Sequence, residues 1–250
     1  MITLADQTYL VTGATSGIGQ GIARVLHGLG AKLVLTGRDQ DKLAQLSQEL
    51  APHHHLIRPF ELEATDEIPA WIKAIVSEIG PLSGFVHSAG ICQLLPVQAL
   101  NLKRFDRTMR LNLLSAMMIV RGFVQPNCYI KDKSSIVLIS STAGVLGCPG
   151  QTLYSASKGA LIAFAKGAAL ELAPLGIRVN AISPACVETP MLDHVRQSIP
   201  EENYQQLCRR HALGLGQPQD VAQATAFLLS QASRWITGTN LIVDGGVTAA

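Results

Sequence analysis

Short runs of apolar, often β-branched residues alternate with longer helical patterns along this chain. The short runs lie at 9–12, 32–36, 55–60, 83–87, 135–140, 178–182 and 240–243. The helical patterns lie at about 18–29, 41–50, 67–79, 102–123, 154–172 and 220–229. The short runs are apolar at successive positions, as strands are when helices cover both faces of a parallel sheet. The alternation predicts an α/β fold: one doubly wound Rossmann-type domain with a seven-stranded parallel sheet. One stretch breaks the rhythm. Residues 188–216 carry Pro190, Pro200, Gly214 and Gly216, with a short helical pattern between. Ligands of such sheets bind beyond the carboxyl ends of the strands, and this stretch follows a strand end, so it is the expected substrate lid.

Composition narrows the function classes. Of 250 residues, 48% are apolar and 15% charged, the opposite of a disordered chain. A formal charge of +2 gives no electrostatic case for nucleic acid or an anionic membrane as partner. Met1 leads straight into a strand-like run, and no uncharged apolar run approaches the roughly 18–20 residues that span a bilayer. The expected location is the cytoplasm. Cys92, Cys128, Cys148, Cys186 and Cys208 are scattered and odd in number, which suits free thiols in a reducing compartment. His53-His54-His55 has no fourth ligand nearby and reads as a solvated turn, so no metal is expected. Trp71 and Trp235 are expected to pack.

The first strand runs into Thr12-Gly-Ala-Thr-Ser-Gly-Ile-Gly19, which opens the first helix. Gly13, Gly17 and Gly19 allow a tight turn and close approach of backbone to a diphosphate. The helix N-terminus adds free N–H groups and the positive end of its dipole. This strand–turn–helix context supports a dinucleotide site. An acid at the end of the second strand would select NAD(H) by accepting from both ribose hydroxyls. Gly37 stands there instead. Arg38 follows and suits a 2′-phosphate, which favours NADP(H) and leaves NAD(H) open, since Asp39 is close. The simpler role for Asp39 is capping the next helix.

Tyr154 and Lys158 are four apart in a helical pattern and share a face. A free tyrosine, with a pKa of about 10, is a poor base near neutrality. A lysine cation and an oxidised nicotinamide nearby would bring it into working range. Ser141 follows a strand end, where its hydroxyl can donate to a substrate oxygen. Asn112 is an amide inside an apolar helical pattern. It is either a satisfied core amide or the anchor of a water on a proton path. Cys148 and Cys186 flank the expected pocket, without an identifiable base to activate either.

Taken in order, these motifs resemble the short-chain dehydrogenase/reductase family over essentially the whole chain. They are the glycine turn from Thr12 to Gly19, Ser88-Ala89-Gly90, Asn112, Ser141, Tyr154-x-x-x-Lys158 and Ile182-Ser183-Pro184, followed by the tail from Ile236 to Gly246. The resemblance implies a hydride-transferring oxidoreductase acting on a carbonyl or alcohol, with 3-oxoacyl thioesters among the substrates. Tyr154 would be the acid/base, Ser141 would polarise the substrate oxygen, Lys158 would hold the nicotinamide ribose, and Asn112 would anchor the relay water. The implied cofactor contacts are Gly13, Thr15, Ser16, Gly17, Ile18, Gly19, Arg38, Glu61, Leu62, Ser88, Ala89, Gly90, Tyr154, Lys158, Pro184, Val187 and Thr189. A homotetramer or homodimer is implied, with the helices at 102–123 and 154–172 forming one interface.

Three positions depart from the family pattern. His87-Ser88 stands for the usual Asn-Asn, Ala185 for the usual Gly after Pro184, and Glu61 for the usual Asp. They bear on cofactor contacts and leave the proton-transfer set intact. Two other readings compete: a cofactor-sensing protein without turnover, and a sugar-nucleotide epimerase or dehydratase.

Overall fold

The computed structural model describes residues 2–51 and 55–249. Its sheet contains β1 (Thr8–Thr12), β2 (Lys32–Thr36), β3 (Leu56–Ile57), β4 (Gly84–His87), β5 (Ser134–Ile139), β6 (Ile177–Pro184) and β7 (Asn240–Val243). All neighbours are parallel, in the order β3-β2-β1-β4-β5-β6-β7. The chain order reverses between β1 and β4, and a ligand crevice opens at such a switch point. Helices α1 (Gly17–Gly28), α2 (Gln40–Glu49) and α9 (Pro218–Leu229) cover one face. Helices α3 (Ile68–Ile79), α5 (Ser115–Phe123) and α6 (Thr152–Leu172) cover the other.

Strand alternation builds both cores from the same segments. On β1, Tyr9 and Val11 join one core and Leu10 the other. On β5, Ile136 and Leu138 face the opposite way from Val137 and Ile139. A strand buried on both faces is apolar at most positions, which explains its near-continuous hydrophobic run.

Four expectations needed revision. The third strand, expected at 55–60, is only two residues long. It is an edge strand, and Pro59 lacks an N–H for the ladder. Arg58 and Phe60 still donate to Leu35 and Gly37 carbonyls at 3.0 and 3.1 Å. The helix expected at 102–123 divides into α4 (Leu102–Met109), a π-turn at Arg110–Leu114, and α5. Such a bulge rotates side chains relative to a regular helix and is frequent at functional sites. Asn112 lies inside it, fully buried. The stretch 188–216 is more regular than its sequence suggests. It contains α7 (Pro190–Ser198), capped by Thr189 with Pro190 at the first helical position, and α8 (Glu201–Arg209). Trp235 is 90% exposed in this chain rather than packed.

The expected packing of Trp71 is present, in a stack on Phe60 with ring centroids 4.5 Å apart. Asp39 caps α2, accepting from the Lys42 N–H at 3.0 Å. His53 and His54 lie outside the described residues. His55 accepts from the Leu33 N–H at 3.1 Å, and its Nε2 lies 3.0 Å from His27 Nδ1. Among the described residues, no helix is long and apolar enough to cross a membrane.

Candidate active site

Two depressions beyond the carboxyl ends of the strands meet at Tyr154. The first runs from Arg38 and Glu61, across the glycine turn and Ser88-Ala89-Gly90, to Lys158 and Thr189. It brings together nearly every cofactor contact expected from the sequence, including Thr15, Ser16, Ile18 and Leu62. Pro184 and Val187 line the second depression instead, together with Ser141, Cys92, Cys148 and Cys186. Asn112 lines neither; it lies behind the wall.

The glycine turn has the form of a diphosphate cradle. Gly13 has φ +68°, and a Cβ there would meet the Ala89 backbone at 3.0 Å. Gly17 has φ +53°, and its Cβ would meet Thr189 Cγ2 at 3.0 Å. A Cβ on Gly19 would run into the Gly13 carbonyl. Only glycines let the three segments close this tightly while leaving the first N–H groups of α1 open to an anion. Arg38 lies exposed at the far end, with no ion-pair partner among the described residues. The residues present therefore fit a dinucleotide. Phe60, Ile91, Leu111 and Met191 also line this cleft and escaped the sequence reading. Phe60, Ile91 and Leu111 directly adjoin Glu61, Gly90 and Asn112, and that adjacency was the available signal.

His87 rebuilds the bonds lost with the usual asparagine. Thr12 Oγ1 accepts the Ser88 and Ala89 N–H groups, both at 3.1 Å, and faces His87 Nδ1 at 3.2 Å. With two N–H groups received, the Thr12 hydroxyl donates to Nδ1. The Ser115 hydroxyl donates to the Leu111 carbonyl at 2.6 Å, leaving its oxygen to accept from His87 Nε2 at 3.4 Å. The network thus assigns a neutral Nε2–H tautomer. Burial, with a smaller repulsion from Lys158, pushes the His87 pKa down to about 3.

The proton-transfer residues converge from separate elements. Ser141, just past β5, caps a short 3₁₀ turn, and its Oγ accepts from the Ala143 N–H at 3.1 Å. Tyr154 and Lys158 share a face of α6. Lys158 Nζ lies 5.7 Å from the Tyr154 ring centroid and donates to the Ile139 carbonyl at 2.8 Å. Asn112 grips the loop after β4: Oδ1 accepts from the Ile91 N–H at 2.9 Å, and Nδ2 donates to the Ile91 carbonyl at 2.9 Å and to Ser157 Oγ at 3.0 Å. It is therefore a fully engaged core amide that joins the π-turn, the β4 loop and α6.

Electrostatics shows what the protein alone does to the proton-transfer pair. Lys158 and an oxidised nicotinamide together were expected to lower the Tyr154 pKa; the protein surroundings alone raise it. Burial is the main cause, interaction with Cys92 adds to it, and the Ser141 hydroxyl pulls the other way. Lys158 is itself lowered to about 8 by burial, which weakens it as a permanent cation. Tyr154 is thus held as the neutral phenol, the form that donates a proton. Burial also raises Cys92 and Cys186 to about 11. These thiols stay protonated near neutrality and are poor nucleophiles.

Comparison with known proteins gives this arrangement its context. The family model described as Enoyl-(Acyl carrier protein) reductase matches residues 13–248. The short-chain dehydrogenase/reductase SDR:Glucose/ribitol dehydrogenase from Brucella melitensis has the same fold. It matches with a TM-score of 0.90 and 30% identity, covering 98% of each chain. The chain belongs to the short-chain dehydrogenase/reductase family. Among other short-chain dehydrogenase/reductase relatives, the 3-oxoacyl-[acyl-carrier-protein] reductase of Rickettsia bellii is 35% identical over 99% of both chains. Cyclopentanol dehydrogenase of a Comamonas species is 33% identical over 98% of both. As a short-chain dehydrogenase/reductase, this protein is an oxidoreductase that uses a nicotinamide cofactor to interconvert carbonyl and alcohol groups of small molecules. The expectations of a sensor without turnover, and of an epimerase or dehydratase, find no support in these relatives.

Proposed function

We propose that this protein is an NADP(H)-dependent reductase of 3-oxoacyl thioesters, with Tyr154 as the proton donor. The observation that carries the reading is the seam itself. A neutral phenol and the Ser141 hydroxyl stand where the dinucleotide cleft opens into an apolar pocket. Two hydroxyl donors at one point suit an oxygen that gains negative charge. The thioester substrate is drawn from the Rickettsia relative, and the NADP(H) preference rests on unpaired Arg38 with Gly37 at the strand end.

The cleft from Arg38 to Thr189 would hold a reduced nicotinamide dinucleotide, whose chemistry would be hydride donation to the carbonyl carbon. Ser141 donates a hydrogen bond to the carbonyl oxygen and orients it. Tyr154 passes its phenolic proton to the same oxygen as the alcohol forms. Lys158 holds the ribose and, as a cation, stabilises the phenolate left behind. Asn112, whose side chain is committed to Ile91 and Ser157, serves as a positioning residue that keeps the loop after β4 in register with α6, and a relay water would have to use its backbone. Pro184, Val187 and Thr189 bound the carboxamide end. Residues 188–216 act as the substrate lid, with α7 and α8 as its rigid parts. We further assign the protein to the cytoplasm and to a homotetramer or homodimer through 102–123 and 154–172. The apolar side chains of Leu102, Phe105, Met117 and Leu170, exposed on those helices, support that assignment.

The test is NADPH oxidation, followed by absorbance, with acetoacetyl-CoA as substrate, NADH in parallel and crotonyl-CoA as the enoyl control. Turnover of acetoacetyl-CoA with at least tenfold NADPH preference is expected. Reduction of crotonyl-CoA in its place would replace the reading with the enoyl chemistry named by the family model. Light scattering that shows a monomer at micromolar concentration would remove the oligomer assignment.

A further inference from the structure

The substrate pocket is apolar almost throughout. Leu146, Val195, Leu207 and Val247 form much of its wall, and Cys148 and Cys186 add neutral thiols. Polar groups at the reacting end are uncharged hydroxyls. Among the lining residues only Arg210 carries a permanent charge. His211, beside it, is committed to the fold. Its Nε2 accepts from the Cys186 N–H at 3.2 Å, and Nδ1 meets the Leu207 carbonyl at 2.9 Å.

Arg210 is different. Its backbone closes the C-terminus of α8 through bonds to Leu207 and Cys208, but its guanidinium has no hydrogen bond or ion pair among the described residues. Carboxylates on the segments that meet the lid have partners of their own. Asp244 accepts from the Gly246 and Thr248 N–H groups at 2.9 and 2.7 Å, and Glu188 accepts from Gln217 Nε2. The Arg210 charge does reach the pocket wall, since it pulls against the burial of both Cys148 and Cys186. An exposed arginine keeps its hydration until a partner arrives. Apolar walls then strengthen the pair, because the local dielectric is lower than that of water.

We propose that Arg210 selects anionic substrates by binding an oxyacid group on the molecule whose carbonyl is reduced at Tyr154. The group is a carboxylate on the substrate chain or a phosphate on its thioester carrier; both offer the paired oxygens that a guanidinium fork matches. This inference rests on the carbonyl-reductase reading above and adds the charge of the substrate. Arg210 binds at a site away from the reacting atoms, so it acts on affinity.

The experiment compares charged and uncharged partners of one reaction in the wild type and in Arg210→Gln. One pair is acetoacetyl-CoA against the acetoacetyl thioester of N-acetylcysteamine, which lacks phosphate. The other is a set of oxocarboxylates with two to six carbons between ketone and acid, against their methyl esters. Arg210→Gln should raise KM for the charged member of one pair by about tenfold or more, consistent with a charged hydrogen bond worth roughly 1.5–3 kcal/mol. It should leave kcat and the uncharged member within about twofold, and Arg210→Lys should recover part of the loss. Arg209→Gln, the exposed neighbour outside the pocket, should change neither. Loss confined to acetoacetyl-CoA identifies the carrier phosphate; loss confined to an oxocarboxylate identifies the chain carboxylate. Equal effects on charged and uncharged members, or no effect on either pair, would overturn the proposal. The two readings fail separately. Thioester reduction indifferent to Arg210 leaves the reductase standing, whereas Arg210-dependent oxocarboxylate reduction without thioester turnover leaves Arg210 standing.

Discussion

The two depressions that meet at Tyr154 are built by different means. The dinucleotide cleft is framed by short loops at the ends of β1, β2, β3 and β4. Its shape depends on three glycines whose missing Cβ atoms let those loops touch. The substrate pocket is gathered from residues as far apart in the chain as Ile18 and Val247. A cleft that depends on such close loop contacts tolerates few substitutions and recurs wherever the ligand does. A pocket gathered from scattered residues can change its lining without disturbing the sheet, which lets one reaction serve many substrates.

The sharpest way to separate the two is Tyr154→Phe. The ring stays and only the hydroxyl leaves, so the cleft keeps its shape. Loss of a positioned general acid typically costs 10²–10⁴-fold, and kcat should fall by about 10³-fold. Dinucleotide affinity, read by fluorescence titration, should stay within about twofold. Loss of binding as well would mean that the phenol belongs structurally to both depressions.

Gly19→Ala should give the reverse pattern. A methyl there collides with the Gly13 carbonyl, so the turn must open and the N–H groups of α1 shift off the diphosphate. Dinucleotide affinity should weaken by about 100-fold, equivalent to roughly 3 kcal/mol. A variant that binds normally would show that the turn yields at small cost, against the close packing seen here. Arg38→Gln probes the far end of the same cleft. It should raise KM for NADPH by about tenfold, as expected for loss of one charged hydrogen bond, and leave NADH unchanged. Equal effects on both dinucleotides would remove Arg38 as the selector.

The same contrast explains what was legible in the sequence. The sheet was readable because strands buried on both faces are apolar at most successive positions, and β2 and β7 run over the residues their patterns predict. The glycine turn and the Tyr154–Lys158 pair were readable because each is set by local spacing. The third strand was overestimated because an apolar run does not reveal whether a ladder partner continues beside it. The π-turn at Asn112 was invisible, since a bulge preserves helical periodicity on either side. Arg210 and Cys92 were missed because nothing local to either marks the pocket they share; only the folded chain brings α8 beside the loop after β4. The burial that raises Tyr154 in the protein alone was hidden for a related reason: spacing reports the nearby lysine but not how deeply both groups are buried.

One residue in the readable region departs from the family pattern, and it yields the smallest and most specific prediction. His87 lies at the base of the dinucleotide cleft, fully buried, between Thr12 and Ser115. Its folded pKa is depressed to about 3, against about 6.5 when unfolded. Below pH 6.5 the unfolded chain therefore binds a proton that the folded chain refuses. The stability this residue contributes is complete above pH 6.5 and is lost as pH falls towards 3. The slope is about 1.4 kcal/mol per pH unit, the value for one proton. Between pH 7.5 and 5.5 the wild type should lose about 1.4 kcal/mol through His87, which lowers Tm by roughly 3–5 °C in a domain of this size. His87→Asn keeps a hydrogen-bonding side chain between Thr12 and Ser115 but does not titrate. Its Tm should fall less over the same interval by about that amount, whatever the variant costs at pH 7.5. Identical pH slopes in the two proteins would mean that His87 accepts its proton without unfolding, and that the neutral network with Thr12 and Ser115 does not hold the cleft together.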